Sequence, residues 1–305
     1  MNIIPNMPME EYLVLPAVSA SLVRHMVDEC PKAAWFDSWL NPHRVIRTSD
    51  EMDAGTIAHS ILLEGGPGNV QIFNPSEYPN LKGGGIATGW TNKAIQEARD
   101  AARAAGKIPV LSGDMARISA MVNSAREYIE SLKDEEPAIW AMFQPGGGES
   151  EVTITFNIAG VPCRIRPDRI STDRKLIVDM KTTVTSAEPN RWARTQLAGM
   201  GYYLSAAFYR LAFDVPPDYV FLVVQSEPPY LCSLVGIDPA GYELGHQKVL
   251  HGLGMWAQCV KRNQWPSYPT RVCYAEIPSY VHAEFEARMG IEYDYETMFG
   301  KREAA

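Results

Sequence analysis

The feature that most restricts the folding of this chain is the strand pattern of residues 176–181, Leu-Ile-Val-Asp-Met-Lys. Successive side chains of a β-strand point to opposite faces of the sheet. Ile177, Asp179 and Lys181 therefore share one face, and the apolar residues at 176, 178 and 180 share the other. The pattern predicts a strand with a carboxylate and an ammonium group on the same face.

A second carboxylate lies close to this strand in the sequence. Pro167 and Asp168 end the preceding predicted strand, eleven residues before Asp179, and proline is tolerated where a hydrogen-bond ladder stops. Converging carboxylates repel each other unless a cation neutralises them, and their hard oxygen atoms suit Mg²⁺ or Mn²⁺. Such an ion supports phosphodiester hydrolysis, in which Lys181 would orient or deprotonate water and stabilise charge.

A simpler interpretation of the same residues stays open. Asp168 and Asp179 would then be turn or edge residues, and Lys181 would only pair with Asp179 on a solvated face. The spacing of these three residues is common by chance, so the hypothesis depends on its context in the chain.

That context is a mixed α/β pattern. Period-two alternation at 151–156, a turn at 157–160 and strands at 161–166 and 175–181 predict a three-stranded meander. Helices are predicted at 19–30, 52–63, 91–105, 114–132, 191–213 and 242–262, with a buried strand at 219–224 and a loop at the glycine run 83–85.

One histidine has a distinctive place in this pattern. Gly55, His59 and Leu63 follow one another at four-residue spacing on the predicted helix 52–63, and the glycine permits a close approach to a neighbouring element. A histidine on a half-buried helix face is as often a hydrogen-bonded core residue as a ligand. The residues alone therefore leave the role of His59 open.

Composition and charge limit the class of protein. Apolar residues make up 46% of the 305 residues and charged residues 21%, which is typical of a globular chain. The chain has no apolar run long enough for a membrane helix and no signal-peptide pattern at residues 1–13, so we expect a cytoplasmic protein without a membrane partner. The formal charge of 28 − 36 = −8 requires that any DNA-binding basic residues line a local channel.

The five cysteines are widely spaced. Cys259 and Cys273 are fourteen residues apart and have no third cysteine beside them, which is not the spacing of an iron–sulfur site. We therefore expect reduced thiols and no iron–sulfur cluster.

The residues around Asp168 and Lys181 also carry a family resemblance. Residues 164–169 (Arg-Ile-Arg-Pro-Asp-Arg) and 177–183 (Ile-Val-Asp-Met-Lys-Thr-Thr) resemble the catalytic core of RecE-type exonucleases (exonuclease eight) in the PD-(D/E)XK nuclease superfamily. Further segments match in the expected order from about Tyr12 to Pro278. These segments are 19–22, 28–31, 55–59, 63–64, 206–209, 228–230 and 265–268.

The resemblance implies a metal centre. It places His59, Asp168, Asp179 and the carbonyl of Met180 on the metal, and it makes Lys181 the catalytic lysine. Glu151 would join the metal shell directly or through water, and Glu149 is the competing choice. The implied cofactor is Mg²⁺, which Mn²⁺ can replace.

The chain departs from the family pattern at one position. The family carries a glutamine four residues before a tyrosine on the helix after the core, whereas this chain has Ser205 before Tyr209. Gln196 lies earlier and is no simple replacement unless the helix is shifted. Tyr209 and Ser205 are candidate DNA-binding residues, and Arg164, Arg166 and Arg169 would hold phosphates or merely pair with nearby acidic groups.

The resemblance implies an α/β fold with a restriction-endonuclease-like core, in which helices flank a central mixed sheet and further helices are added at the N-terminus. We expect a single nuclease domain over 1–305, with a helical part at 1–145, a catalytic core at 146–275 and a tail at 276–305. The implied activity is 5′ to 3′ digestion of linear double-stranded DNA from its ends.

The implied setting is phage-type recombination or DNA processing in a bacterial or phage-infected cell. The enzyme would form a ring-shaped homo-oligomer beside a single-strand annealing protein. Two alternatives remain, namely an endonuclease or flap nuclease on the same core, and a DNA-binding assembly protein with weakened catalysis.

Overall fold

A five-stranded mixed sheet forms the centre of the structure, a computed structural model that describes residues 1–45, 50–78 and 89–289. The strands of the chain are β1 (Asn2–Ile4), β2 (Val70–Phe73), β3 (Ile108–Leu111), β4 (Gly148–Ser150), β5 (Thr153–Ile158), β6 (Val161–Ile165), β7 (Arg169–Ser171), β8 (Leu176–Thr183), β9 (Asp218–Gln225) and β10 (Cys232–Val235). The central sheet has the order β10-β9-β8-β7-β4, and its pair β8–β9 is parallel while its other pairs are antiparallel.

Helices cover both faces of this sheet. They are α1 (Met9–Val14), α2 (Ala20–Arg24), α3 (Pro31–Phe36), α4 (Asp50–Leu63), α5 (Lys93–Ala104), α6 (Ser112–Ser131), α7 (Pro137–Phe143), α8 (Pro189–Trp192), α9 (Tyr202–Arg210), α10 (Pro239–Arg262) and α11 (Ser279–Met289). The expected α/β fold with a mixed central sheet between helices is confirmed.

Strand β8 separates two hydrophobic cores. Val178 and Met180 pack with residues of α4, α6 and α7 on one face. Ile177 packs on the other face with residues of α2, α9, α10 and the β5–β6 pair, and Asp179 points the same way. The alternation predicted from the sequence is confirmed, and it places Asp179 and Lys181 on the face opposite Val178 and Met180.

The predicted three-stranded meander is wrong in its third strand. β5 and β6 pair antiparallel with each other and with β1, forming a separate three-stranded sheet. The chain then turns at residues 166–168 into the short strand β7, and β7 rather than β6 pairs with β8. The extra strand had no clear signal, because three residues are too few to show a period of two.

The predicted helix 191–213 is interrupted. It begins as α8, continues as a π-helical turn at Ala193–Leu197 and restarts as α9 after Gly201. Gly201 has a φ of +66°, and a Cβ there would lie 3.0 Å from Cδ of Arg24. Glycine at this position permits the break, because it adopts a left-handed conformation without strain and leaves room for the Arg24 side chain.

The chain divides into two units, Met1–Ser267 and Tyr268–Ala305. The first holds all the strands described above, and the second contains α11. The glycine run 83–85 and residues 290–305 lie outside the described residues. Within the described ranges, none of the helices combines the length and apolar character needed to cross a bilayer.

The packing of α10 against α9 generates a stability prediction. A Cβ on Gly245 would lie 2.8 Å from both Cβ of Ala207 and the carbonyl oxygen of Tyr203, whereas a Cβ on Gly254 of the same helix meets no atom within 4 Å. Gly245→Val should destabilise the protein by about 1–3 kcal/mol through overpacking. Gly254→Ala should raise stability by up to about 1 kcal/mol through helix propensity. Urea unfolding measures both, and equal effects of the two substitutions would contradict the described packing.

Candidate metal and catalytic centre

Strand β8 supplies the first part of the site. The side chain of Asp179 is buried, and its carboxylate forms an ion pair with the ammonium group of Lys181 two residues along the same face. Nζ of Lys181 also lies 3.3 Å from the carbonyl oxygen of Met180. The strand therefore presents a carboxylate, a lysine and a backbone carbonyl at one place.

Asp168 lies in the turn between β6 and β7 and faces the same place. Its Oδ2 accepts a hydrogen bond of 2.8 Å from the backbone N–H of Met180. This bond fixes the turn against β8, so the two aspartates meet although they come from different strands of the fold.

Helix α4 and the β4–β5 connection add two more groups. Nε2 of His59 lies 3.1 Å from Oδ2 of Asp168, and Nδ1 of His59 lies 3.3 Å from Oε1 of Glu151. A Cβ at Gly55, one turn earlier, would lie 3.7 Å from Oγ1 of Thr182 on β8. The helix thus runs beside the strand and brings the imidazole between two carboxylates.

Glu151 is held in an unusual backbone conformation. Its φ is +54°, a left-handed value that is uncommon for a residue other than glycine. Its backbone N–H donates to the carbonyl oxygens of Pro167 at 3.1 Å and Asp168 at 3.3 Å. The other oxygen of its carboxylate, Oε2, accepts a hydrogen bond from Nε of Arg166. Glu149, in contrast, pairs with Arg174, so the geometry favours Glu151 as the glutamate of the site.

The donor set fits a divalent cation. One ligand atom each of His59, Glu151 and Asp168 lies within 4.8 Å of the others. Nε2 of His59 is buried and, although it lies close to Asp168, has no hydrogen bond of good geometry. An imidazole nitrogen and carboxylate oxygens without full hydrogen-bond partners suit an ion such as Mn²⁺ or Mg²⁺. Asp179 lies beside this group, where its carboxylate pairs with Lys181.

The acidic surroundings keep His59 protonated when no metal is bound. Burial by itself would lower the pKa of its imidazole, but the charges of Asp168, Glu151 and Asp179 outweigh burial and raise the pKa from 6.5 to about 9. The imidazolium then neutralises part of the negative charge that a cation would otherwise balance.

The pKa values of both members of the pair on β8 are raised. Burial and the nearby carboxylate of Asp168 raise the pKa of Asp179 to about 7, although Lys181 opposes the shift. Burial would lower the pKa of Lys181, but Asp179 and Asp168 raise it above its ordinary value. For Asp168, burial is outweighed by His59 and Lys181, which lower its pKa. Lys181 therefore carries its positive charge throughout the physiological range in the metal-free protein.

The three arginines proposed for DNA contacts bind the protein itself. Arg164 donates to the carbonyl oxygens of Leu13 and Leu15, and Arg166 donates to the carbonyl oxygen of Met7 as well as to Glu151. Arg169 donates to the carbonyl oxygen of Met142 and the hydroxyl of Ser150. These contacts favour structural roles, and phosphate binding by the three arginines stays a prediction without geometric support.

Sequence reasoning missed the part played by the first fifteen residues. The ring of Tyr12 lies 4.9 Å from the guanidinium carbon of Arg164 and 5.6 Å from that of Arg166. Nη1 of Arg44 donates to the carbonyl oxygen of Leu13. No motif in a single sequence identifies such contacts, because they involve backbone carbonyls and an isolated tyrosine.

Ser205 and Tyr209 lie beside β8. They line a cavity of about 260 Å³ together with Asp179, Lys181 and Tyr12. The hydroxyl of Tyr209 donates to the carbonyl oxygen of Arg166 at 3.3 Å. The position of these two residues is compatible with substrate contact, and Gln196 lines a different cavity on the other side of β8.

The chain also matches a known protein family. A family model described as "PDDEXK-like domain of unknown function (DUF3799)" matches residues 19–277. No curated protein matches the sequence.

Solved structures give a more distant likeness. The crystal structure of a "Putative exonuclease" from Eubacterium rectale matches with a TM-score of 0.54 and 13% sequence identity, covering 92% of this chain and 98% of that one. The crystal structure of SSO0001 matches with a TM-score of 0.25 and 9% identity, covering 65% of this chain and 84% of that one, and contributes nothing to the assignment. At these identities the first match supports the fold alone.

The two arginine–glutamate pairs provide a test of the glutamate assignment. Arg166→Ala removes a partner that orients Glu151, and loss of such a partner typically weakens metal binding by about 10–100-fold. Arg174→Ala breaks the analogous pair with Glu149 and should leave metal affinity within about twofold of the wild type. Titration calorimetry with Mn²⁺ measures both variants. If Arg174→Ala lost more metal affinity than Arg166→Ala, Glu149 rather than Glu151 would be the glutamate of the site.

Proposed function

Because the chain belongs to the family of PDDEXK-like domains (DUF3799), we propose that it is a metal-dependent nuclease that hydrolyses phosphodiester bonds of DNA. The observation that carries the proposal is the meeting of Asp168, Asp179 and Lys181 at one place, with His59 and Glu151 beside them. Neither burial nor packing requires so many charged groups at one point, and their repulsion is relieved by a cation.

The ligands in this proposal are His59, Asp168 and Glu151, with Asp179 and the carbonyl of Met180 completing the shell. A divalent cation held there acts as a Lewis acid that stabilises the negative charge developing on the phosphate. The carboxylates suit Mg²⁺, and the imidazole adds a ligand that softer ions such as Mn²⁺ accept more readily. We therefore propose Mg²⁺ as cofactor, with Mn²⁺ able to replace it.

Lys181 has a separate task in this mechanism. Without metal, its carboxylate neighbours raise its pKa and keep its ammonium group protonated. In this mechanism the ammonium group holds the attacking water in place and stabilises negative charge. Asp179 fixes the position of the ammonium group through their ion pair. In this proposal Lys181 acts on the reacting atoms, and Asp179 acts on the metal and on the position of the lysine.

The finer proposal is an exonuclease that digests linear double-stranded DNA from its ends, 5′ to 3′, in recombination or DNA processing. The net charge of −8 supports a ring-shaped homo-oligomer, because a ring concentrates basic residues around one channel. A single-strand annealing protein is the proposed partner, and the cytoplasm of a bacterial or phage-infected cell is the proposed location. Ser205 in place of the glutamine keeps a second candidate open, a nuclease with weakened catalysis that mainly binds DNA.

The catalytic pair can be tested with substitutions that preserve side-chain volume. Asp179→Asn and Lys181→Met should each reduce cleavage by more than about a hundredfold, because the charges that they remove act on the phosphate and the water. Lys175→Met, at an exposed lysine that pairs with Asp173, serves as the matched control and should retain full activity. Gel assays of DNA cleavage give the rates, and circular dichroism verifies the fold. If folded Lys181→Met keeps near-normal turnover, Lys181 is only an ion-pair partner of Asp179 and not a catalytic residue.

Metal binding should depend on pH in a defined direction. A ligand imidazole must be neutral, so the metal displaces the proton that His59 holds below its pKa of about 9. Between pH 7 and pH 9 the affinity for Mn²⁺ should rise about tenfold per unit, and calorimetry in two buffers should detect release of one proton. His59→Asn should abolish that rise. An affinity that is flat over this range in the wild type would remove His59 from the metal shell.

If the protein is a ring-shaped exonuclease, it should be an oligomer in solution. It should degrade linear duplex DNA, spare covalently closed circles and lose activity steeply as the salt concentration rises. Light scattering supplies the mass, and parallel gels with the two DNA forms supply the preference. If a monomer nicks closed circles as fast as it digests linear DNA, the endonuclease alternative is correct and the metal chemistry stands unchanged.

A further inference from the structure

A second cavity adjoins the metal centre on the α4–α6 side of β8. Its volume is about 400 Å³, within the usual range of about 300–1,000 Å³ for small-molecule sites. Gly55 and Thr182 line both this cavity and the one that contains His59, Glu151 and Asp168. A group bound in the second cavity could therefore belong to the same nucleotide as a phosphate at the metal centre.

The charges at this cavity are already balanced. Arg117 pairs with Glu227 at 3.1 Å and with Asp114 at 3.1 Å. The described residues that line the cavity include no other lysine or arginine. A phosphate would find no free positive charge there, so the cavity selects an uncharged group.

Apolar side chains form part of the walls. Ala54, Ile118 and Met121 supply apolar surface on the α4–α6 side, and Val184 at the mouth is 79% exposed. A methionine thioether packs favourably against aromatic rings. An apolar side chain left in water beside a functional cleft gains stability when a ring covers it.

Two polar groups of the cavity are available to a ligand. Among the described residues, the hydroxyl of Thr182 and the side-chain amide of Gln196 have no hydrogen-bond partner in the protein. An amide offers both a donor and an acceptor, and so does a hydroxyl, which matches the mixed edges of nucleobases. The other hydroxyls at the cavity, those of Thr183 and Ser226, are occupied within the protein.

From these observations we infer that the cavity binds the base of the terminal nucleotide whose phosphodiester is cleaved. The inference rests on the proposed function and adds a substrate subsite to it. The base leaves the stack of the duplex end, lies against Met121 and Ala54, and meets the amide of Gln196. Both the amide and the hydroxyl can donate or accept, so every base is accommodated and sequence preference is weak.

The experiment compares two linear duplexes that differ only at their ends. In one duplex all terminal nucleotides carry normal bases, and in the other they carry tetrahydrofuran in place of the base. Fluorescence anisotropy measures binding in the presence of Ca²⁺. Excess closed circular DNA is added as a competitor for binding that does not involve DNA ends. The wild-type protein should bind the base-bearing ends about tenfold more tightly, which is the order of a single base stack.

Two variants assign this preference to the cavity. Ala54→Phe fills it and should reduce the preference to less than about twofold, whereas Ala101→Phe, on the exposed face of α5, should keep the wild-type value. Gln196→Ala leaves the fold untouched because its amide has no partner, and it should lower affinity for base-bearing ends by about threefold. Equal binding of both duplexes by the wild type, or a full preference in Ala54→Phe, would overturn the inference.

Cleavage of the same duplexes with Mg²⁺ or Mn²⁺ is measured separately. A binding preference that follows the cavity variants while neither duplex is cut would refute the proposed nuclease activity and uphold the base site. Cleavage of both duplexes without any binding preference would uphold the nuclease and remove the base site.

Discussion

Repulsion among carboxylates is the constraint around which the rest of this structure is arranged. Asp168, Asp179 and Glu151 converge in a largely buried place, where charges interact more strongly than in water. Without metal, their charge is offset by the imidazolium of His59 and the ammonium of Lys181. A divalent cation would take over part of this balance, which links metal binding to proton release and to stability.

Contacts with the surrounding fold hold the acidic groups together against their mutual repulsion. The backbone N–H of Met180 holds Asp168, and Arg166 holds Glu151. Arg166 is held in turn by the carbonyl oxygen of Met7 and by the ring of Tyr12. The segment of residues 1–18 lies outside the family match, yet it contributes contacts that reach the site through Arg166.

The two sides of β8 differ in chemical character. Asp179 and Lys181 project toward α2 and α9, where charge and hydroxyl groups predominate. On the other side, the cavity shared with α4 and α6 is apolar and has balanced charges. In the proposal the phosphate lies at the metal centre and the base lies in this apolar cavity, and Gly55 and Thr182 line both places.

The sequence by itself determined the features that depend on short separations. The period of two placed Asp179 and Lys181 on one face, and Pro167 marked the turn that carries Asp168, because strand geometry links neighbours in the chain directly. Resemblance to a known family added His59 and Glu151, whose role the residues alone left open. Only the tertiary structure decided that β7 separates β6 from β8, that the arginines bind backbone carbonyls, and that Tyr12 covers two of them. Such contacts join residues up to 159 positions apart, and no local pattern records them, because they form only when distant segments are packed together.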